Sequence, residues 1–208
     1  MIDDRLQAIL EANGGIVKVS QAKVDGISHT SILRAVQAGR LKRVAHGVYE
    51  AVDKLAEYEL AEDRLDDKLY ISQLRRPKAI YSHDTALYLN NMIDRDPSVF
   101  SVTVPTGYNT KRLVEDGFTV FSIQDSLYEL GIVNVQTKYG HPVMTYSPER
   151  AICDCIRSRS RVDVEVMIEG LKGYVQNRNY NRNVYLLMEM AKAFGVQKIL
   201  RTYLEVLL

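Results

Sequence analysis

A chain of 208 residues, 46% of them hydrophobic, is long enough for one or two domains with real apolar cores. Its formal net charge of +1 carries no global signature of a nucleic-acid partner. No apolar run approaches the roughly 20 residues that span a bilayer, and the N-terminus lacks the basic-then-apolar order of a signal peptide. The chain therefore reads as cytoplasmic, with no membrane partner.

Asp3 to Ala12 reads as a first helix with Leu6, Ile9 and Leu10 on one side, ending at the Asn13-Gly14-Gly15 breaker. A brief extended link follows, Ile16 to Val19. Ser20 is a good N-cap for a second short helix, SQAKVD, closed by Gly26. Ser28 caps a third, in which Ile32, Leu33 and Val36 share an apolar face and Thr30, Ser31, Arg34 and Gln37 lie opposite. His29 falls on the apolar side and is expected to be packed. After Gly39 the alternation of Leu41 and Arg43 with Lys42 and Val44, a turn at Gly47 and a return through Val48-Tyr49 predict a small hairpin.

Charge is unevenly spread. Residues 1–52 carry seven Lys/Arg against five Asp/Glu, residues 53–149 ten against fifteen, and residues 150–208 ten against six. From Lys18 to Val48 there are six bases and one acid, Asp25. Helix followed by basic hairpin is the order of a winged helix-turn-helix, and a local excess of cations suits a phosphate backbone. In that reading Thr30, Ser31 and Arg34 meet base edges in the major groove, while Arg40, Lys42, Arg43 and His46 hold phosphates.

Asp53 to Arg76 reads as a charge-rich helical stretch with Tyr58, Leu65, Leu69 and Leu74 buried, and a domain boundary is placed near residue 55. Beyond it come a helix from Ser82 to about Asn91 and strands at Val99–Val104, Phe118–Ile123, Ile132–Thr137 and Val143–Tyr146. From Ser147 onward the pattern is helical, with a polar loop at Asn177–Asn183. The last helix places Val196, Ile199, Leu200, Tyr203, Leu204 and Leu207 on one face. Cys153 and Cys155 point about 200° apart on a helix and cannot comfortably close one disulfide, which leaves reduced thiols.

Few residues suggest chemistry. Ser82, His83 and Asp84 are sequence neighbours and cannot fold back into a nucleophile, base and orienter, and Ser82 serves better as a helix cap. The histidines and cysteines have no metal spacing, and there is no phosphate-cradling glycine loop. Asp154, Asp163 and Glu165 lack the lysine that a nuclease would want. These observations lead us to expect neither an enzyme nor a cofactor.

The hairpin Gly39-Arg40-Leu41-Lys42-Arg43-Val44-Ala45-His46-Gly47-Val48-Tyr49 resembles the G-x-L-x-R-V-x-x-G-x-Y hairpin of the AbiEi-type antitoxins. Tyr81-Ser82-His83-Asp84-Thr85-Ala86-Leu87 resembles that family's SHxTAL segment, Val102-Thr103-Val104-Pro105 its strand-to-proline segment, and Tyr146-Ser147-Pro148-Glu149-Arg150-Ala151 its SPERA helix start. The four matches are ordered over residues 39–151, and nothing after about residue 162 matches. The resemblance implies a winged-helix repressor of a toxin-antitoxin operon in phage defence by abortive infection, autoregulated through inverted repeats of operator DNA. It also implies a C-terminal domain that counters a nucleotidyltransferase-like toxin without a stable complex, the type IV arrangement.

The SPERA segment has its own physical reading. Ser147 can cap a helix, Pro148 suits its first turn, and Glu149 sits well at the positive end of the dipole. Arg150, Arg157 and Arg161 would form a basic stripe opposite Ile152 and Ile156, either a solvated face or a surface used in antitoxicity. The resulting expectation is an α/β (α+β) protein with a winged helix-turn-helix at residues 1–55 and a mixed C-terminal antitoxin domain, residues 56–208, ending in helices. It acts as a monomer or as a dimer that pairs on DNA. The alternatives are a plain regulator whose second domain senses a ligand or dimerises, and a nuclease of phage defence.

Overall fold

A computed structural model describes residues 4–13, 15–52, 65–137, 140–176 and 182–207. The chain forms two compact units, one of residues 1–77 with 136–143, the other of residues 78–135 with 144–208. The fold is mixed α/β, as the alternation of patterns predicts.

The first unit opens with α1 (Asp4–Ala12), which buries Leu6, Ile9 and Leu10. Strand β1 (Ile16–Lys18) runs directly into α2 (Val19–Val24), and α3 (His29–Gln37) follows. Strands β2 (Leu41–Ala45) and β3 (Val48–Ala51) complete an antiparallel sheet in the order β1-β3-β2. Ala22, Ile32, Ala35, Leu41 and Tyr49 join the α1 residues in one core. The extended link is thus a strand, with Val17 opposite Tyr49. Ser20 does not cap α2: the helix starts at Val19, whose N–H donates to the Gly47 carbonyl at 2.9 Å, and Lys18 holds the cap position without a side-chain bond.

Helix α3 begins and ends as its sequence dictates. The Ser28 hydroxyl accepts from the Ser31 N–H at 3.1 Å, satisfying one of the free donors of the first turn. At the other end Gly39 takes φ +70, which lets its own N–H reach the Val36 carbonyl and that of Arg40 reach Ala35. This paired closure is a Schellman motif, and glycine accepts the left-handed φ without a Cβ penalty. It turns the chain straight into β2.

Helix α4 (Leu65–Arg75) belongs to the same unit and buries Leu69, while Leu74 is only half-buried. Tyr58, the Leu65 side chain and the expected boundary near residue 55 lie outside the described residues. Tyr70 stacks on His141, with ring centroids 4.6 Å apart, and Arg75 donates to the Val44 carbonyl beside a break in the β2–β3 register.

The second unit is built on a five-stranded sheet. Its strands are β4 (Ile80–Tyr81), β5 (Ser101–Pro105), β6 (Thr119–Ile123), β7 (Ile132–Gln136) and β8 (Pro142–Tyr146), in the order β6-β5-β4-β8-β7. Pairing is mixed, parallel for β5–β6 and β4–β8 and antiparallel for β4–β5. Helices α5 (His83–Leu89), α6 (Lys111–Glu115) and α7 (Asp125–Tyr128) connect the strands. The chain ends in α8 (Pro148–Arg157), α9 (Val164–Gln176), α10 (Val184–Ala193) and α11 (Gln197–Leu207). Most of the Asn177–Asn183 segment lies outside the described residues, and Asn183 caps α10.

Helix α8 is the centre of this unit. Every residue from Pro148 to Ile156 is buried, and α5, α9, α10 and α11 all pack against it. Helix α9 approaches closely because it carries glycine where it meets α5 and the turn after it. A Cβ at Gly170 would lie 2.5 Å from Leu87 Cδ1, whereas one at Gly173 would lie 2.0 Å from the backbone carbonyl oxygen of Met92.

These two glycines separate packing from propensity. Alanine gains about 1 kcal/mol over glycine inside a helix, whereas overpacking costs about 1–3 kcal/mol and occasionally more. Gly173→Ala must displace backbone and is expected to lose about 3 kcal/mol in urea denaturation. Gly170→Ala meets only a movable leucine side chain and should lose less. Equal stability of the two variants would show that the close approach does not set the α9 position.

Candidate nucleic-acid interface

The structure gives α3 one exposed and one buried side. Ile32 is fully buried and Ala35 nearly so, against the sheet and α2, whereas Thr30, Arg34 and Gln37 are exposed. Two expectations fail. His29 is exposed rather than packed, and Leu33 is exposed rather than part of the apolar face. The buried arc is centred between Ile32 and Ala35, which turns the row His29, Leu33 toward solvent. Ser31 is half-buried, its N–H and Oγ both engaged with Ser28 Oγ.

The hairpin carries the cations. Arg40, Lys42, Arg43 and His46 are all exposed, the first at the end of the α3 turn and the others on β2 and its tip. Arg43 and His46 are joined at 3.0 Å through a guanidinium nitrogen and the ring Nδ1. Gly47, at φ +69, makes the reversal. Lys18, partly buried where β1 meets α2, has its ammonium pKa lowered by that burial.

The C-terminal candidates are placed differently from expectation. Arg150 is not part of a surface stripe: it is fully buried. Its Nε donates to Asp154 Oδ2 at 2.8 Å and its Nη1 to the carbonyls of Leu127 and Leu130, each at 2.7 Å. The guanidinium lies between the rings of Tyr146 and Phe194, 4.2 and 4.0 Å from their centroids. Arg157 is partly exposed and reaches Asp154 Oδ1 at 3.4 Å. Only Arg161 is well exposed, its guanidinium 4.3 Å from the Phe121 ring centroid. Asp154 is therefore an internal counter-ion and not a free carboxylate for metal chemistry.

His83 sits in the same interior. Ser82 holds the N-cap position of α5, yet its hydroxyl makes no cap bond and meets His83 Nδ1 at 2.9 Å. His83 Nε2 lies 3.0 Å from Ser158 Oγ, and the ring stacks on Phe121 at 3.5 Å between centroids. The residue takes φ +53, left-handed backbone that costs a non-glycine residue about 1–2 kcal/mol. Burial, then Arg157, Arg150 and Arg161, hold its pKa well below the ordinary 6.5. Cys153 and Cys155 are free and buried, and burial pushes the Cys153 thiol up to about 12 and that of Cys155 well above its usual range. Such thiols are packing groups, not nucleophiles. Among the described residues no group of His, Cys, Asp and Glu is arranged to hold a metal ion, and no helix is long and apolar enough to cross a membrane.

Three helices, the third capped and exposed along one side, followed by a basic two-stranded turn against a small sheet, define a winged helix-turn-helix of the DNA-binding class. Residues 4–52 match the family model described as transcriptional regulator, AbiEi antitoxin, so the resemblance read from the hairpin holds for this domain. That family is one of antitoxin-type regulators and is not an enzyme class. The SHxTAL-like and SPERA-like segments lie beyond the matched residues. No curated protein matches the chain. A solved structure described as the crystal structure of RV2827C protein from Mycobacterium tuberculosis aligns at 10% identity over 97% of this chain and 80% of that one, with a TM-score of 0.41. That likeness is too weak to bear on fold or function.

The buried histidine makes a pH prediction. Its folded pKa is depressed, so the unfolded chain binds more protons below 6.5, and the stabilisation present above 6.5 is lost as pH falls. The loss is at most about 1.4 kcal/mol per pH unit. His83→Asn, which tolerates the left-handed backbone, should flatten the fall in melting temperature between pH 7.5 and 5.5. An unchanged slope would mean that His83 does not carry it.

Proposed function

We propose that the protein represses its own toxin-antitoxin operon by binding inverted repeats of operator duplex through the winged helix, and that its second domain neutralises a nucleotidyltransferase-like toxin in the cytoplasm. The division of labour falls at about residue 55, with residues 1–55 for DNA and residues 56–208 for antitoxicity. As the family resemblance implies, antitoxicity proceeds without a stable complex with the toxin and serves phage defence by abortive infection.

The observation that carries the regulatory half is the exposure of Arg34, Arg40, Lys42, Arg43 and His46 on α3 and the wing of a domain that matches a family of regulators. Arg34 and Thr30 approach base edges, with Ser31 beside them at the capped start of α3, and the wing cations neutralise phosphates. The protein binds as a dimer or as monomers that pair on DNA, since palindromic half-sites mirror a two-fold arrangement. The antitoxin half rests on the resemblance of residues 81–151 and keeps Arg157 and Arg161 as its contact candidates. Arg150 leaves that group because it is inside.

Gel shifts on DNA upstream of the operon test the first half. Lys42→Ala should weaken binding evenly across sequences and lower the salt slope by about 0.9, and Arg34→Ala should cost about 1–3 kcal/mol and relax specificity. A shift in both variants that is retained and insensitive to salt would overturn the interface. The double variant, co-expressed with the toxin, should still rescue growth. Rescue lost together with DNA binding would favour a plain regulator instead.

A further inference from the structure

The exposed side of α3 carries a large apolar residue among polar ones. Leu33 is 41% exposed, although a leucine in a nine-residue helix beside a core of Ile32 and Ala35 has apolar surface at hand. It stands in the middle of a row, His29, Leu33, Gln37, spaced four residues apart and exposed throughout. Residues at i and i+4 lie over one another on a helix, so the row runs about 12 Å along the axis. Thr30 and Arg34 form the adjoining exposed row.

The row through Leu33 differs in chemistry from the wing. Arg40, Lys42 and Arg43, outside the helix, are permanent cations suited to phosphates, whereas the His29, Leu33, Gln37 row has none. A helix side meant to hold the backbone alone would gain nothing from leucine there. In the major groove, however, one base feature is apolar: the C5-methyl group of thymine. Glutamine a turn away has the paired donor and acceptor that match adenine, and Arg34 has the fork that matches guanine.

We propose that Leu33 is a specificity-determining residue that packs on the C5-methyl group of a thymine in the operator half-site. The inference rests on the DNA-binding reading above and names what that site reads. It also accounts for an exposed leucine flanked by polar residues on a helix whose remaining apolar side chains are at least half-buried.

The test uses the full chain and duplexes recovered by the wild type from a randomised library. Each thymine is replaced in turn by deoxyuridine, which removes the methyl group and keeps the pairing. At one position in each half-site the replacement should weaken wild-type binding about fourfold, the value of one buried methyl group. Leu33→Ala, a benign change at an exposed helical site, should abolish that penalty. Lys42→Ala should bind more weakly and keep it. A penalty that persists in Leu33→Ala, or no thymine whose methyl matters, overturns the inference while leaving DNA binding intact. So does Leu33→Ala changing the size of the free protein in solution with no effect on discrimination, which would make the leucine a subunit contact. If the wild type recovers no duplex at all, the regulatory reading fails and this inference fails with it.

Discussion

The ion pair of Arg150 and Asp154 is the constraint around which the second unit is arranged. Two charges one helical turn apart are both removed from water, and burial alone raises the Asp154 pKa while Arg150 opposes that rise. Such a pair needs further interactions to offset the hydration it loses. Arg150 spends Nη1 on the Leu127 and Leu130 carbonyls, which ties the turn after α7 to α8, and its flat faces are covered by Tyr146 and Phe194 from β8 and the end of α10. Truncating Asp154 would leave Arg150 an uncompensated buried charge, a loss of about 3–5 kcal/mol in comparable pairs, whereas truncating Arg150 would leave Asp154 with Arg157 alone. Gly131 fits the same requirement, since a Cβ there would come within 2.9 Å of Arg150 Cβ.

This pair explains why the SPERA-like segment reads two ways in sequence. Its helix-start chemistry is local and is read correctly: Ser147 accepts from the Arg150 N–H, and Pro148 opens the helix. The expected basic stripe fails because a helical wheel assumes that one side faces water. Helix α8 is enclosed on every side, so its charged residues are resolved by pairing and not by solvent. Glu149 shows the same pattern, buried and accepting from the Tyr174 hydroxyl at 3.1 Å. The hydrogen-bond partners outside the helix, Leu127, Leu130 and Tyr174, lie 20 to 25 residues away, and no local pattern reveals them.

The first unit was more legible because its determinants are short-range. The Ser28 cap, the Gly39 closure and the Gly47 turn each act within a few residues, and the elements appear where those signals put them. What escaped is the rotation of α3 about its axis. Ile32, Leu33 and Val36 make as good an apolar arc as Ile32 and Ala35, and only contacts with α2 and β2 choose between them. Alanine gave no hydrophobic signal strong enough to compete with leucine in the sequence. Yet Ala35 is the residue buried beside Ile32, and that choice exposes His29 and Leu33 together. Ser20 failed for a similar reason, since Val19 already bonds to the wing turn and the cap position falls on Lys18, two residues earlier.

Charge counting along the chain misleads in the same way, because it treats every ionisable residue as though it faced solvent. Residues 150–208 carry ten bases against six acids, apparently a stronger footprint than the seven against five of residues 1–52. Arg150 is internal, Arg157 is half-turned toward Asp154, and Arg161 lies across the Phe121 ring with its Nη2 on the Val120 carbonyl. These three cations are engaged within their own unit, and the exposed ones that remain, Arg159, Lys172, Arg182, Lys192, Lys198 and Arg201, are spread from the end of α8 to α11. In the first unit Arg34, Arg40, Lys42 and Arg43 are exposed on one helix and the hairpin that follows it, which concentrates their positive potential. What distinguishes the first unit is therefore the gathering of its exposed cations on one helix and one hairpin, not the size of its excess.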